Sequence, residues 1–379
     1  MTPEPRQHPI LPTYGGSALA DLSASVGASL GVPDYPNVLG FDSARRACIL
    51  LVDGLGWEQL RANPAAAPFL SELALNSRAL TAGFPSTTVT SLGSLCTGTP
   101  PGQHGMLGYQ VAVPGENRLL NGLRWDSRVD PQRWQPQPTI YQRAVDAGIA
   151  AFHVAQGSFR GSGLTNALMR GAEYLAADSM GALAARACMA LNDNPRALVV
   201  VYHADLDGVG HVFGAGSDAW RKQLAHVNKL AEHLAGDLPA GASLYVTGDH
   251  GMVDIGAEDR IDLDFEPALR EGVALLGGEP RARHVYARPG AAAEVLAAWR
   301  EVLGDRAWVL SRDEAIKEGW FGPVDAGMTE RIGDVVAAAA GNTALVATRT
   351  EPRESALFGM HGSLTPSEQL IPGLVFTAI

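Results

Sequence analysis

The sequence predicts an α/β fold, with a mostly parallel central sheet and helices on both faces. Three observations carry that expectation. Short apolar or β-branched runs recur at 48–52, 149–154, 198–202, 243–247, 284–287 and 344–347. Helix-like stretches lie between several of them, and strand followed by helix, repeated, is the pattern of a layered α/β domain. Acidic residues follow three of the runs, at the edge where open α/β sheets bind ligands.

The elements follow in order. Cys48-Ile-Leu-Leu-Val52 reads as a strand that ends at Asp53-Gly54. Residues 65–75 read as a helix, and 89–95 as a second one behind a hydroxyl-rich segment. The helix at 139–147 precedes the strand at 149–154, and the helix at 180–191 precedes the strand at 198–202. Within 217–234, Leu224, Val227, Ala231 and Leu234 fall on one helical face. The strand at 243–247 ends at Asp249, and residues 291–303 read as a further helix. Residues 1–379 are read as one catalytic domain with a loop-rich segment at 1–45 and room for a small inserted subdomain within 255–355. Residues 108–138 are irregular, with Pro114, Pro131, Pro136, Pro138, Trp125 and Trp134, and a long loop in a compact domain is often functional.

Composition narrows the class. With 46% hydrophobic and 18% charged residues the chain is ordinary globular protein. A net charge of −11 with no Lys/Arg block argues against nucleic acid as a partner, whose binding needs a basic face. No apolar run reaches membrane-spanning length, so no membrane association is expected. Cys48, Cys96 and Cys188 form neither a disulfide framework nor a zinc-type spacing, and read as buried thiols. Met1-Thr-Pro-Glu-Pro-Arg6 lacks an apolar signal core, and a cytoplasmic location is the expectation. Oligomeric state has no signature in the sequence.

The chemistry-bearing residues are spread along the chain. They are Asp53, Asp207 and His211 in Asp-Gly-Val-Gly-His, the adjacent pair Asp249-His250, and His361. Most have a glycine neighbour, which lets the backbone bend so that adjacent side chains enter one cavity. Asp207 and His211 are four apart and share a side of a helical turn. Each motif alone is weak: Asp-Gly after a strand is a common turn, and Asp205 competes with Asp207. Together, three carboxylates and three imidazoles read as a two-metal site able to activate a nucleophile and handle phosphate esters. His226 and His233 read as solvent-facing; His8, His153, His203 and His284 have no ligand-like partner; His104 reads as ordering a turn near the site.

The segment Phe84-Pro-Ser-Thr-Thr88-Val-Thr-Ser-Leu-Gly-Ser-Leu-Cys-Thr97-Gly is dense in hydroxyls. A hydroxyl at a helix N-terminus meets free N–H groups that suit an anion, although a plain Ser/Thr N-cap is the commoner reason for one. A free threonine is a poor nucleophile, and metal ions remedy that.

Here the chain resembles the alkaline phosphatase superfamily and, within it, the type I phosphodiesterase/nucleotide pyrophosphatase family. The family's order is Asp, nucleophilic Thr, Asp-x-x-x-His, Asp-His, His. This chain has Asp53, Thr88, Asp207/His211, Asp249-His250 and His361 in that order, over about 45–375. Counting back nine residues from the Thr97-Gly98 that leads into Pro-Gly-Gln-His104-Gly places the nucleophile at Thr88. Val89-Thr90-Ser91 departs from the family's Pro-Asn pair after the nucleophile, which leaves Thr87 and Thr90 as rivals.

The resemblance implies an alkaline-phosphatase-like fold and two divalent ions, zinc by preference with manganese as the alternative. One ion would take Asp53, Thr88, Asp249 and His250, and the other Asp207, His211 and His361. It implies hydrolysis of phosphodiester or pyrophosphate bonds through a covalent phospho-threonine, on a small phosphate-ester or nucleotide substrate. The family's phosphate-binding Asn falls at Tyr109 here, and Gln110 and Asn121 are the substitutes. Alternatives are a phosphomonoesterase or mutase of the superfamily and a non-catalytic phosphate-binding relative. A sulfatase does not fit, since Cys96-Thr-Gly-Thr-Pro100 lacks the required C-x-P-x-R context. Trp125, Trp134, Phe159 and Tyr174 are candidates to stack on a base or line an apolar pocket, with ordinary packing as the plainer role for each.

Overall fold

Seven strands form the central sheet, in the order Arg78–Thr81, Leu370–Thr377, Ser243–Gly248, Arg46–Val52, Ala197–His203, Ala150–Ala155, Glu173–Ala176. Leu370–Thr377 runs antiparallel to both neighbours, and every other adjacent pair is parallel. This computed structural model describes residues 8–378; residues 1–7 of the stretch expected to be loop-rich, and Ile379, lie outside the described residues.

The apolar runs have a simple cause. Along Arg46–Val52, Cys48, Leu50 and Val52 join one core cluster while Ile49 and Leu51 join another. A strand covered on both faces needs apolar side chains at every position rather than at alternate ones. Helices Met180–Asp193 and Asp218–Gly236 cover one face, and Leu19–Ser29, Thr88–Thr97 and Ile140–Asp146 the other. The mostly parallel, doubly covered sheet expected from the sequence is thus the observed one.

The register delivers the acids to one edge. Val52 pairs with His203 on one side and Gly248 on the other, so three parallel strands end level. Asp53 and Asp249 follow directly, and the chain after His203 turns into helix Asp205–Phe213, which carries Asp207 and His211.

A second, antiparallel sheet has the order Val273–Glu279, Ala282–Ala287, Val335–Ala339, Ala307–Ser311. Helix Ala292–Leu303 packs on it around Val295, Trp299 and Leu303 in a core cluster of its own. The run at 284–287 belongs to this sheet, and Ala344–Val346 pairs with Arg260–Asp262, so neither lies in the central sheet. Two buried ion pairs link the second sheet to the rest of the chain: Arg281 to Glu368, with neither side chain exposed, and Arg283 to Glu351.

The N-terminal stretch is less loop-rich than expected. Leu19–Ser29 is a buried helix whose entry is fixed by Asp21, which accepts from the N–H groups of Gly15, Gly16 and Ala18. Its Ser and Gly residues are indifferent helix formers, and packing of Leu19, Leu22 and Val26 into the core overrides that weak propensity. The proline-rich stretch 108–138 holds a short hairpin, Gln110–Ala112 with Leu119–Asn121, and one helical turn, Pro131–Trp134.

Candidate metal centre

Thr88 is the first residue of helix Thr88–Thr97, behind the extended N-cap Thr87. Its Oγ1 lies 3.5 Å from Asp53 Oδ1 and 3.4 Å from His250 Nε2. The rival hydroxyls are placed differently, and that of Thr90 is buried without a hydrogen-bond partner. Thr87 Oγ1 donates to Glu279 Oε2 at 3.2 Å, and Thr90 is fully buried within the helix packing. Ser91 Oγ donates to the Asp249 carbonyl at 2.7 Å, which ties this helix to the loop carrying Asp249 and His250.

Asp249 Oδ1 accepts from the N–H groups of Gly54 and His250, each at 3.0 Å. Gly54 has φ +74°, and a Cβ there would sit 3.0 Å from Asp207 Cα, so the turn after Asp53 needs glycine. Asp53 Oδ2 accepts from the buried Tyr202 hydroxyl. His250 Nε2 is 3.4 Å from Asp53 Oδ1 and 3.5 Å from Asp249 Oδ2. Asp207 Oδ2 is 3.1 Å from His211 Nε2, and its Oδ1 is 3.8 Å from His361 Nε2. Asp205, the competitor, is exposed and accepts from Gln156 instead.

The donor set fits metal ions on two counts. Each histidine turns Nδ1 to a backbone carbonyl: His211 to Gly359 at 2.7 Å, His250 to Gly251 at 3.0 Å and His361 to Ser86 at 3.0 Å. A carbonyl only accepts, so Nδ1 carries a proton, and in the neutral ring the Nε2 lone pair points into the cluster. Second, Asp207 Oδ1 and Asp249 Oδ2 are buried with no hydrogen-bond partner. The ligand atoms of Asp207, His211 and His361 lie within 4.8 Å of one another, as do those of Asp53, Asp207 and His250. Asp207 therefore stands between the two groups.

The charges are strained without a counter-ion. Burial, with the nearby charges of Asp249 and Asp207, pushes Asp53 well above the usual carboxylate range, and burial also raises Asp249. Burial opposes charge on Asp207 too, but His211 outweighs it and holds Asp207 below its usual range. Burial likewise opposes charge on His211, but the Asp207 charge and hydrogen bond hold its pKa up at about 9. Burial and the neighbouring His250 push His361 down.

Two cavities open on Thr88. One, of about 220 Å³, is lined by Thr87, Thr88, Asp207, His211, Glu279 and His361, with Tyr109 and Arg353 also on its wall. The other, of about 250 Å³, is mainly apolar, with Leu92, Leu123, Phe159, Leu164, Met169 and Tyr202. Of the four aromatic candidates, Phe159 lines this second cavity. Trp134 is buried under Arg331, Trp125 packs edge-on against it, and the Tyr174 hydroxyl donates to the Gln156 carbonyl.

Tyr109 reaches the first cavity, with its hydroxyl given to Glu354 at 3.0 Å. Gln110 donates to Glu351, and Asn121 accepts from the N–H groups of Leu123 and Arg124. His104 is buried between Ser94 and the Met106 N–H, ordering the turn that follows the helix. His226 and His233 are exposed on helix Asp218–Gly236, and Cys48, Cys96 and Cys188 are free and buried.

Two residues at the site escaped the sequence reading. Tyr202 sits inside an apolar strand run and looks like core. Glu279 sits in Gly-Gly-Glu-Pro-Arg and looks like a hairpin turn. Burial pushes Glu279 up to about 8. No local pattern marks either one.

A doubly covered α/β sheet that gathers three carboxylates and three histidines beyond the C-terminal ends of its strands is a scaffold suited to metal-assisted hydrolysis. Residues 47–364 match the profile of the type I phosphodiesterase / nucleotide pyrophosphatase family, and the chain belongs to that family. Solved structures agree on the fold. Murine ectonucleotide pyrophosphatase/phosphodiesterase 5, as an inactive threonine-to-alanine variant with AMP, is 18% identical with a TM-score of 0.69, over 86% of this chain and 87% of its own. The human protein gives 18% and 0.69, over 87% of each chain. Phosphonoacetate hydrolase from Sinorhizobium meliloti 1021, with phosphonoacetate, is 20% identical with a TM-score of 0.66, over 89% of this chain and 91% of its own. No curated protein sequence matches the chain. Among the described residues no helix is long and apolar enough to cross a membrane.

Proposed function

We propose that this protein hydrolyses phosphodiester or pyrophosphate bonds of small esters or nucleotides, with two divalent ions and a covalent phospho-threonine at Thr88. The observation that carries the reading is the position of Thr88 Oγ1, within 3.5 Å of both Asp53 Oδ1 and His250 Nε2 at the start of a ten-residue helix. Asp53, Thr88, Asp249 and His250 would hold one ion and Asp207, His211 and His361 the other, with Asp207 closest to both groups. Mixed nitrogen and oxygen donors suit zinc. When bound, the ions supply Lewis-acid charge to the attacking and leaving oxygens.

The chain's own residues do the rest. The Thr88 oxygen attacks phosphorus in line and the ester oxygen opposite it departs; water then releases the phosphoryl group and restores the hydroxyl. Free N–H groups of the first helical turn suit a non-bridging oxygen. The AMP complex of the murine neighbour and its inactive threonine-to-alanine variant support a threonine-dependent site that accepts a nucleotide.

Charge favours a diester. Two dications less three carboxylates leave about one positive charge, and the Thr88 alkoxide brings that near zero. A diester carries one negative charge at phosphorus and a monoester nearly two. Arg124, Arg128, Arg160 and Arg170 do not line the first cavity; Arg353 does, and among the described residues it is the one guanidinium on that wall that could offset a second charge. The test is ion content together with turnover of bis-p-nitrophenyl phosphate and p-nitrophenyl phosphate. Two ions per chain and faster diester turnover are expected. Faster monoester turnover would overturn the diester assignment and favour a phosphomonoesterase.

A further inference from the structure

The first cavity contains two acids that the phosphoryl chemistry does not use, Glu279 and Glu354, and Glu354 already accepts from the Tyr109 hydroxyl. Glu279 closes strand Val273–Glu279 of the second sheet and is only 8% exposed. It belongs to neither ligand group. Its Oε2 accepts from Thr87 and lies 3.8 Å from His361 Nδ1, whose proton is already given to the Ser86 carbonyl. Its Oε1 is buried and has no hydrogen-bond partner. The two arginines that follow it are committed elsewhere, Arg281 to Glu368 and Arg283 to Glu351. The backbone makes room for the carboxylate: a Cβ on Gly362, next to His361, would stand 3.1 Å from Glu279 Cγ and Cδ.

With the ions bound, their positive charge would hold Glu279 as a carboxylate, which accepts hydrogen bonds, and a buried oxygen without a donor is unfavourable until one arrives. The cavity around it is small, about 220 Å³, and apolar on the sides formed by Val89, Leu123, Pro280 and Leu357. A short organic arm fills such a space, and a donor on that arm would meet the carboxylate.

We propose that Glu279 is a substrate-recognition residue whose carboxylate accepts a hydrogen bond from a hydroxyl or ammonium group on the ester's organic arm. This rests on the phosphate-ester reading of the site. It assigns that arm to a polar class, of the glycol, sugar or ethanolamine kind, rather than to a plain alkyl or aryl group.

The test is binding, which does not depend on turnover. Ethyl phosphate, 2-hydroxyethyl phosphate and 2-aminoethyl phosphate are titrated calorimetrically into the ion-loaded protein. The two donor-bearing esters should bind at least about tenfold tighter than ethyl phosphate, the size of one well-placed charge-assisted hydrogen bond. Glu279→Ala should shrink that gap to within about twofold and leave ethyl phosphate affinity and ion content unchanged. Glu279→Gln, which keeps the shape, should keep the hydroxyl preference and lose the extra gain for ammonium. Equal binding of all three esters by the wild type would overturn the proposal. So would an equal loss for all three in Glu279→Ala, which would mark Glu279 as a support for His361 or the phosphoryl group. The hydrolase reading fails separately, if the ion-loaded protein binds these esters but turns over no phosphate ester.

Discussion

Removing the ions should destabilise the protein, and the effect should grow with pH. Asp53, Asp207 and Asp249 are buried together, with two of the three pushed above their usual range. If free ion is held at about a thousand times Kd, each site adds about 4 kcal/mol to the folded state, so about 8 kcal/mol for two. At about 2.1 cal/mol/K per residue, a chain of this length has an unfolding entropy of about 0.8 kcal/mol/K, and chelation should lower Tm by about 10 °C. The pH dependence follows from His211. Its folded pKa, about 9, lies above its unfolded value, so its contribution to the ion-free fold is full below about pH 6.5 and lost as pH rises through 9. Ion binding must displace that same proton, so affinity at fixed free ion rises about tenfold per unit between pH 7 and 9. In that window His361 is neutral and Asp207 ionised in both states, and neither adds a slope, whereas Glu279, pushed up to about 8, also loses its proton and adds to the fall in ion-free stability. Ion-free stability therefore falls while ion stabilisation grows, and the Tm gap should widen by about 2 °C per pH unit from proton competition alone. Scanning calorimetry at pH 7, 8 and 9, with chelator and with a buffered free ion, reads this directly. A Tm indifferent to chelator, or a gap that narrows from pH 7 to 9, would refute the reasoning.

Other substitutions probe other links. Thr88→Ala should keep the fold and lower diester turnover by on the order of a thousand-fold or more, whereas Thr90→Ala should leave it within about threefold, read by steady-state kinetics. Asp207→Asn and His361→Ala should each remove one ion equivalent by elemental analysis, with the Asp207 variant weakening the second site as well. Glu368→Ala leaves Arg281 buried without its partner and should cost about 3–5 kcal/mol in denaturant unfolding; a loss under 1 kcal/mol would show that the pair is not what joins the second sheet to the His361 loop. Tyr202→Phe removes the hydroxyl on Asp53 Oδ2 and should weaken ion binding by about 10–100-fold in a chelator competition.

How much of this was legible in the sequence differs from residue to residue. Asp53 and Asp249 were readable because each follows an apolar run that only a doubly covered strand requires. Asp207 was readable in the same way, since it lies shortly after the run at 198–202. His361 carries no local signal, and its place came from the ordered resemblance alone. Counting back from Thr97 placed the nucleophile at Thr88 and left Thr87 and Thr90 as rivals; in the structure Thr88 opens the helix with its hydroxyl turned to Asp53 and His250. The helix Leu19–Ser29 was missed because its small polar residues hide an apolar face that tertiary packing fills. Tyr202 and Glu279 were missed for a different reason. Glu279 meets Thr87 across 192 residues, and no pattern within either segment records that encounter.

The central claim is a covalent step at Thr88. The most direct measurement is acid quenching during turnover of a chromogenic diester, followed by peptide mapping of the segment around residues 84–97 by mass spectrometry. The expected result is a phosphoryl adduct whose fragment ions place it on Thr88, formed with the first burst of product. An adduct on Thr87 or Thr90, or a full product burst with the segment unmodified, would contradict the account.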